Sequence, residues 1–208
     1  MIEIAVHAFI TLFVIVDPIS VGAIFLGLTE RHDHAQRRRV AVNATMIATI
    51  VLLAFAFGGE YLFRMLGISI SAFSIAGGAL LFLLAIDMVL AKRTGLRSTT
   101  VIEDREAEAR EDVTVFPMAI PLIAGPGAMT SILLLMNQTE DDPLKQGAVI
   151  AVLVFVMALT VGFLIAAGAM VRVLGVTGVN VIGRVFGIIL AALAIQYILN
   201  GLQLIGAI

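Results

Sequence analysis

Phe116-Pro117-Met118-Ala119-Ile120-Pro121-Leu122-Ile123-Ala124-Gly125-Pro126-Gly127-Ala128 is an apolar stretch that cannot run as one helix. Each proline lacks an amide donor and clashes with the carbonyl four residues back. A milder version occurs early in the chain, in Phe13-Val14-Ile15-Val16-Asp17-Pro18-Ile19, and Pro18 and Pro126 stand 108 positions apart in 208 residues. The same offset relates Arg64-Met65-Leu66-Gly67-Ile68-Ser69 to Arg172-Val173-Leu174-Gly175-Val176-Thr177. With one insertion, Ala85-Ile86-Asp87 aligns with Ala194-Ile195-Gln196. The chain therefore reads as a duplication with a broken hydrophobic segment at the same place in each half. Irregular backbone survives at membrane depth only where protein or a wet cavity satisfies it, so paired breaks point to a transporter's binding site.

Composition sets the class. With 61% hydrophobic residues, 13% charged residues and a mean hydropathy of +1.10, the chain has too little polar surface to cover a soluble globule. A helix needs about 20 apolar residues to cross the hydrocarbon core. Six segments qualify: Ile4–Leu28, Val40–Phe57, Ile70–Leu90, Val115–Met136, Ala148–Val171 and Val181–Leu204. No basic residue precedes the first apolar run, so a cleaved signal peptide is not expected and the segment should stay. Cysteine is absent, which excludes disulfides, thiol nucleophiles and thiolate metal sites. A net charge of −2 offers no basic field for nucleic acid.

Eleven of the thirteen Lys and Arg residues fall on one side if the N-terminus lies outside, leaving only Arg64 and Lys145 on the other. The positive-inside rule then places both termini on the extracytoplasmic face of a prokaryotic plasma (inner) membrane. Three helices per half is an odd number, so the second half must insert upside down. The expected fold is an all-α membrane protein of six transmembrane helices, built as two inverted three-helix repeats. Residues 1–91 form the first repeat, 92–114 a charged cytoplasmic linker and 115–208 the second repeat, with helices 1 and 4 broken at proline near the midplane.

The two breaks carry the chemistry. An ionised Asp17 midway along the first segment costs about 2.5–3.5 kcal/mol on insertion scales, so it must face protein or water. Followed by Pro18, it reads as the N-cap of a new helix with proline at the first position. At Gly125-Pro126 the capping position has no side chain. The amides of Gly127 and Ala128 then point outward with the positive end of the helix dipole, which suits an anion. One break offering a carboxylate and the other offering amides could hold a zwitterion, with Ser20, Thr130 and Ser131 adding hydroxyls. The plainer reading leaves Asp17 as a cap and the glycines as packing sites; both fit the sequence.

Asp17 and Asp87 are candidates for coupling to H+ or Na+, since acids within a span default to functional roles. The uncharged Gln196 at the repeat position of Asp87 argues against a symmetric pair of proton carriers. Asn43, Asn180 and Asn200 read as capping or packing groups, Arg184 as snorkelling or countering Asp87, and Glu60 with Arg64 as a local ion pair. Glu103 to Asp112 has helical charge spacing and reads as a solvated linker. Arg37-Arg38-Arg39 suits topology and anionic headgroups. His32 and His34 lack the partners a metal needs, and no cofactor is implied.

The strings around Asp17-Pro18, Leu66-Gly67-Ile68-Ser69, Ala72-Phe73-Ser74-Ile75-Ala76-Gly77-Gly78-Ala79-Leu80-Leu81-Phe82 and the Phe-Pro, Ile-Pro, Gly-Pro-Gly succession resemble the MarC family of prokaryotic inner-membrane proteins. The likeness covers nearly the whole chain. The family is named for a multiple-antibiotic-resistance locus, which is not evidence of drug export. Some members are associated with movement of small neutral amino acids such as alanine and glycine, and the family is grouped with lysine-exporter-like carriers. The resemblance thus implies a secondary transporter of a small polar metabolite, with Asp17, Pro18, Gly125, Pro126 and Gly127 matching the family's polar motifs. The alternative is a channel or an efflux protein for other small solutes. An intramembrane enzyme is a weaker fit, because neither aspartate sits in a glycine-containing protease signature. No P-loop is present, so ATP-driven pumping would need another subunit. The expected partners are the bilayer, a small-molecule substrate and a coupling ion; a homo-oligomer is compatible with the sequence.

Overall fold

A computed structural model describes residues 1–90, 113–139 and 142–207. The linker expected at 92–114 lies almost wholly outside the described residues, including its helically spaced run Glu103 to Asp112. The described chain is helical throughout: α1 (Ile2–Val16), α2 (Pro18–Leu28), α3 (His34–Met65), α4 (Ile70–Leu90), an irregular segment Thr114–Ile123, α5 (Pro126–Asn137), α6 (Pro143–Gly175) and α7 (Thr177–Leu204). Five units are long and apolar enough to cross a membrane, with α1 and α2 counted as one. The irregular segment and α5, bent by 54°, make a sixth if taken together. This is a multi-pass integral membrane protein.

Side-chain distribution fits a lipid solvent. Along α3 the buried residues Ala41, Ala44, Ala48, Leu52, Ala56 and Gly59 recur at three- and four-residue spacing. That small-residue stripe lets α3 approach its neighbours closely. On its other face Ile50, Phe57 and Tyr61 are exposed, as lipid-facing side chains should be. The helix is longer than Val40–Phe57 because polar residues finish its ends: Asp33 and Gln36 form a reciprocal capping box, and Glu60 pairs with Arg64. Hydropathy alone misses such polar turns, whereas α4, described from Ile70 to Leu90, coincides with the expected segment over those residues. Outside the apolar spans, Asp142 caps α6 by accepting from the amides of Leu144 and Lys145. Its hydrogen bond to the Lys145 ammonium, 3.2 Å away, holds the carboxyl below its ordinary range.

The helices of the two halves are interleaved. Among α1 to α4 no pair packs extensively; each instead packs against α5, α6, α7 or the irregular segment. The closest crossing joins α4 and α7, which run antiparallel. A Cβ on Gly78 would lie 2.6 Å from the Ala194 carbonyl oxygen and 2.7 Å from the Ile198 side chain. A Cβ on Gly187 would lie 3.0 Å from the Ala85 carbonyl oxygen and 2.9 Å from the Val89 side chain. Adding 109 to Gly78, Ala85 and Val89 gives Gly187, Ala194 and Ile198, so the two contacts are the same contact with the halves exchanged. Phe13 on α1 meets Phe163 on α6 and Phe186 on α7 edge-on, at 6.0 and 5.9 Å. At the centre stands α5, buried from Thr130 through Met136.

Candidate functional site

The two breaks are built differently. Asp17 takes a left-handed conformation (φ 48°, ψ 64°) that aspartate tolerates better than most residues. This lets it end α1 and begin α2 at once. Its amide donates to the Phe13 carbonyl, its carbonyl accepts from Val21, and its Oδ1 accepts from the Ser20 amide at 3.2 Å. Little of the helical ladder is lost, so the first span stays nearly continuous. Asp17 and Pro18 act as N-cap and first helical residue, and the Asp17 side chain is fully buried.

Around Pro117, Pro121 and Pro126 the chain departs much further from a helix. Phe116 and Ile120, each preceding a proline, are extended (φ −126°, ψ 126° and φ −134°, ψ 125°), as steric clash with the proline ring favours. The segment is held by wide-turn bonds from the Met118 amide to Val113 and from Ala124 to Ala119. The expectation of a broken helix 4 is therefore refined: its first part is not α-helical, and only α5 is a regular half-helix.

Gly125 starts α5 without a side-chain cap. A Cβ there would meet the Pro121 carbonyl oxygen at 2.6 Å, so only glycine fits. Pro126 has no amide, and the first helical bond runs from Met129 to Gly125. The amides of Gly127 and Ala128 thus have no intrahelical acceptor. A Cβ on Gly127 would lie 2.9 Å from Leu81 and 3.6 Å from Ile15, which places α4 and α1 over this first turn. A cavity of about 20 Å³ abuts it, lined among others by Ile15, Leu84, Gly125, Gly127 and Ala128. That is room for one water. Asp17 is not among the lining residues; Ile15, two positions earlier, takes that place.

The three hydroxyls assigned to the site point to three places. Ser20 adjoins Gly183 on α7. Thr130 packs its methyl against Gly77 on α4. Ser131 lies beside Tyr197 and Thr11. Thr11 and Tyr197 carry no motif and escaped sequence reasoning; a hydroxyl inside an apolar run was their only signal. Asp87 is half-buried near the end of α4. No cluster of metal-ligating side chains occurs among the described residues.

With this geometry the sequence was compared with known proteins. The description "MarC family integral membrane protein" matches over residues 2–205. The chain belongs to the MarC family. It is 35% identical to a UPF0056 membrane protein of Pyrococcus abyssi over 94% of this chain and 92% of the relative. It is 34% identical to the UPF0056 membrane protein YvbG of Bacillus subtilis over 98% and 96%, and to YhcE of Escherichia coli over 94% and 90%. No solved structure matches.

Proposed function

We propose that this MarC protein is a secondary carrier for a small polar metabolite, most plausibly a neutral amino acid of the alanine or glycine type. It would work in the prokaryotic plasma membrane as two inverted three-helix repeats, with both termini extracytoplasmic. The observation carrying this reading is the pair of half-helices that start at proline within the hydrophobic bundle. One begins at a buried carboxylate, Asp17; the other begins at amides with no cap, at Gly125. Discontinuous helices with these two kinds of terminus suit a site for an ammonium and a carboxylate. The exchanged contacts Gly78 to Ala194 and Gly187 to Ala85 support the inverted repeat, since such reciprocity is the mark of a two-fold axis. The one-water cavity at Gly127 fits an occluded conformation that must open before a solute reaches the amides. Asp17 and Asp87 remain the residues for ion coupling, and no enzymatic step is assigned.

Counterflow of radiolabelled alanine and glycine in proteoliposomes tests the reading directly. Asp17→Asn should keep the cap, because asparagine caps as well as aspartate, yet slow transport by removing the charge. Equal counterflow by Asp17→Asn and the parent protein across pH 5 to 8, roughly the window where proton coupling is sought, would reduce Asp17 to a cap. Conductance without saturation would instead favour a channel.

A further inference from the structure

A second cavity, of about 380 Å³, opens where α4 begins and where α5 and α7 end. It is of ligand size. Among the described residues its polar lining consists of Ser74, Asn137, Gln138, Asn200 and Gln203, none of them charged. Carboxamides donate and accept, so such a wall can satisfy a solute of either polarity. These described residues supply no counter-charge for a net ion, whose desolvation they would leave uncompensated.

Independent evidence that something polar goes deeper comes from one helical turn below. Ser131 precedes the lining residue Leu134 on α5 by three positions, and Tyr197 precedes Asn200 on α7 by three. The Tyr197 hydroxyl lies close enough to those of Ser131 and Thr11 to interact with each, but none of the three makes a hydrogen bond of good geometry. Thr11 and Ser131 are fully buried, and Tyr197 is 2% exposed. Other threonines in the spans avoid this cost. Thr45, Thr49 and Thr160 each donate to the carbonyl four residues earlier at 2.7–2.8 Å. Thr11 has the same option on α1 and does not use it. A buried hydroxyl without a well-formed hydrogen bond is costly, and three side by side from three helices can share one polar partner. On α5 the positions Gln138, Leu134, Ser131 and Gly127 recur at three- and four-residue intervals, so one stripe joins the cavity, the hydroxyls and the uncapped helix start.

We propose that this amide-lined chamber is an entry site for net-neutral polar solutes, and that the Thr11, Ser131 and Tyr197 hydroxyls form its inner subsite. The inference rests on the carrier reading for its direction, extracytoplasmic to central, and not for the existence of the site. Neither Thr11, Tyr197 nor any of the carboxamides belongs to the zwitterion site at the two breaks.

The cysteine-free chain permits a clean test. Gln203→Cys provides a single thiol in the chamber wall, to be labelled with a membrane-impermeant thiosulfonate in right-side-out and inverted vesicles. Alanine and lactamide, both net neutral, should slow labelling several-fold in right-side-out vesicles, while lactate and alaninol at the same concentration should not. Adding Tyr197→Phe or Thr11→Val should leave the unprotected labelling rate unchanged and weaken the protection. Protection by all four solutes alike, by none, or unaltered by both inner substitutions would overturn the proposal. Labelling confined to inverted vesicles would overturn its direction. Alanine counterflow without protection would sink the chamber and spare the carrier. Protection without counterflow would do the reverse.

Discussion

Replacing Gly78 by alanine places one methyl group where α4 and α7 are closest. The new Cβ would stand 2.6 Å from the Ala194 carbonyl oxygen and 3.1 Å from the Ile198 amide nitrogen. Both are backbone atoms, so the helices themselves must separate by several tenths of an ångström. Forcing a methyl into a packed interface costs typically about 1–3 kcal/mol, and alanine's better helix propensity returns about 1 kcal/mol. A net loss of about 0–2 kcal/mol is expected. Gly187→Ala should cost less, because its nearest backbone atom, the Ala85 carbonyl oxygen, is 3.0 Å away and its closer neighbours are side-chain atoms of Met88 and Val89 at 2.9 Å. Gly168→Ala is the control: nothing lies within 4 Å, so it should be neutral or gain up to about 1 kcal/mol. Because the propensity gain is common to both, Gly78→Ala should melt roughly 2–12 °C below Gly168→Ala by the usual scaling for chains of this length, read by far-UV circular dichroism in detergent. The double variant Gly78→Ala with Gly187→Ala should cost less than the two singles together, since both separate the same helix pair. Equal melting of Gly78→Ala and Gly168→Ala would refute the close crossing, and strict additivity would refute its being one shared contact.

Three further outcomes follow from other parts of the bundle. Topology reporters after Ile208 and in the 137–146 loop should both read extracytoplasmic and one in the 92–114 linker cytoplasmic, as the charge asymmetry requires; a cytoplasmic C-terminus would contradict the inverted repeat. Because α1 to α4 pack on the second half and hardly on one another, fragments cut within the linker should co-purify when co-expressed and aggregate when made singly; a monodisperse, cooperatively melting first half would refute the interleaving. The Asp142 carboxyl, held below its ordinary 3.8 by Lys145, contributes its capping fully above that ordinary value and loses it as pH falls through the depressed one. Protection of the Leu144 and Lys145 amides, measured against their intrinsic exchange at each pH, should therefore fall on acidification, and Lys145→Ala should move that onset to higher pH.

Much of the fold was legible because the strongest signals were local. Pro18 after Asp17 and Pro126 after Gly125 mark helix starts by removing a donor that the first turn would leave unpaired anyway, and both helices begin there. Over the described residues Ile70–Leu90 the helix α4 coincides with the segment that hydropathy marks. What stayed hidden was whatever depends on which helix lies beside which. Thr11, Ser131 and Tyr197 come from the first, fourth and last spans, and no spacing rule joins them. Their convergence follows from α1, α5 and α7 meeting across the halves. The difference between the breaks was hidden as well: Asp17 repairs its own interruption with a left-handed residue and a cap, whereas Phe116 and Ile120 become extended before their prolines.

Interleaving also limits how a carrier of this shape can move. Sliding the first half as a block against the second would disrupt the contacts of α4 with α7, of α2 with α6 and of α3 with α5 together, because these are the contacts that hold the first half in place. The Gly78 and Gly187 crossing leaves no slack, with carbonyl oxygens already within 3.0 Å of where a Cβ would stand. Packed helix interfaces switch between discrete arrangements more readily than they stretch. The compliant points are the places where the helical ladder is broken: Gly125 and the extended residues Phe116 and Ile120. Movement there would tilt α5 against Ile15 and Leu81, widening the one-water cavity at Gly127 while α4 and α7 stay fixed. On the carrier reading, the Gly125-Pro126 break is therefore both a binding terminus and a hinge, which is why a bulky Gly127→Leu, set against Leu81 and Leu84, should stop transport.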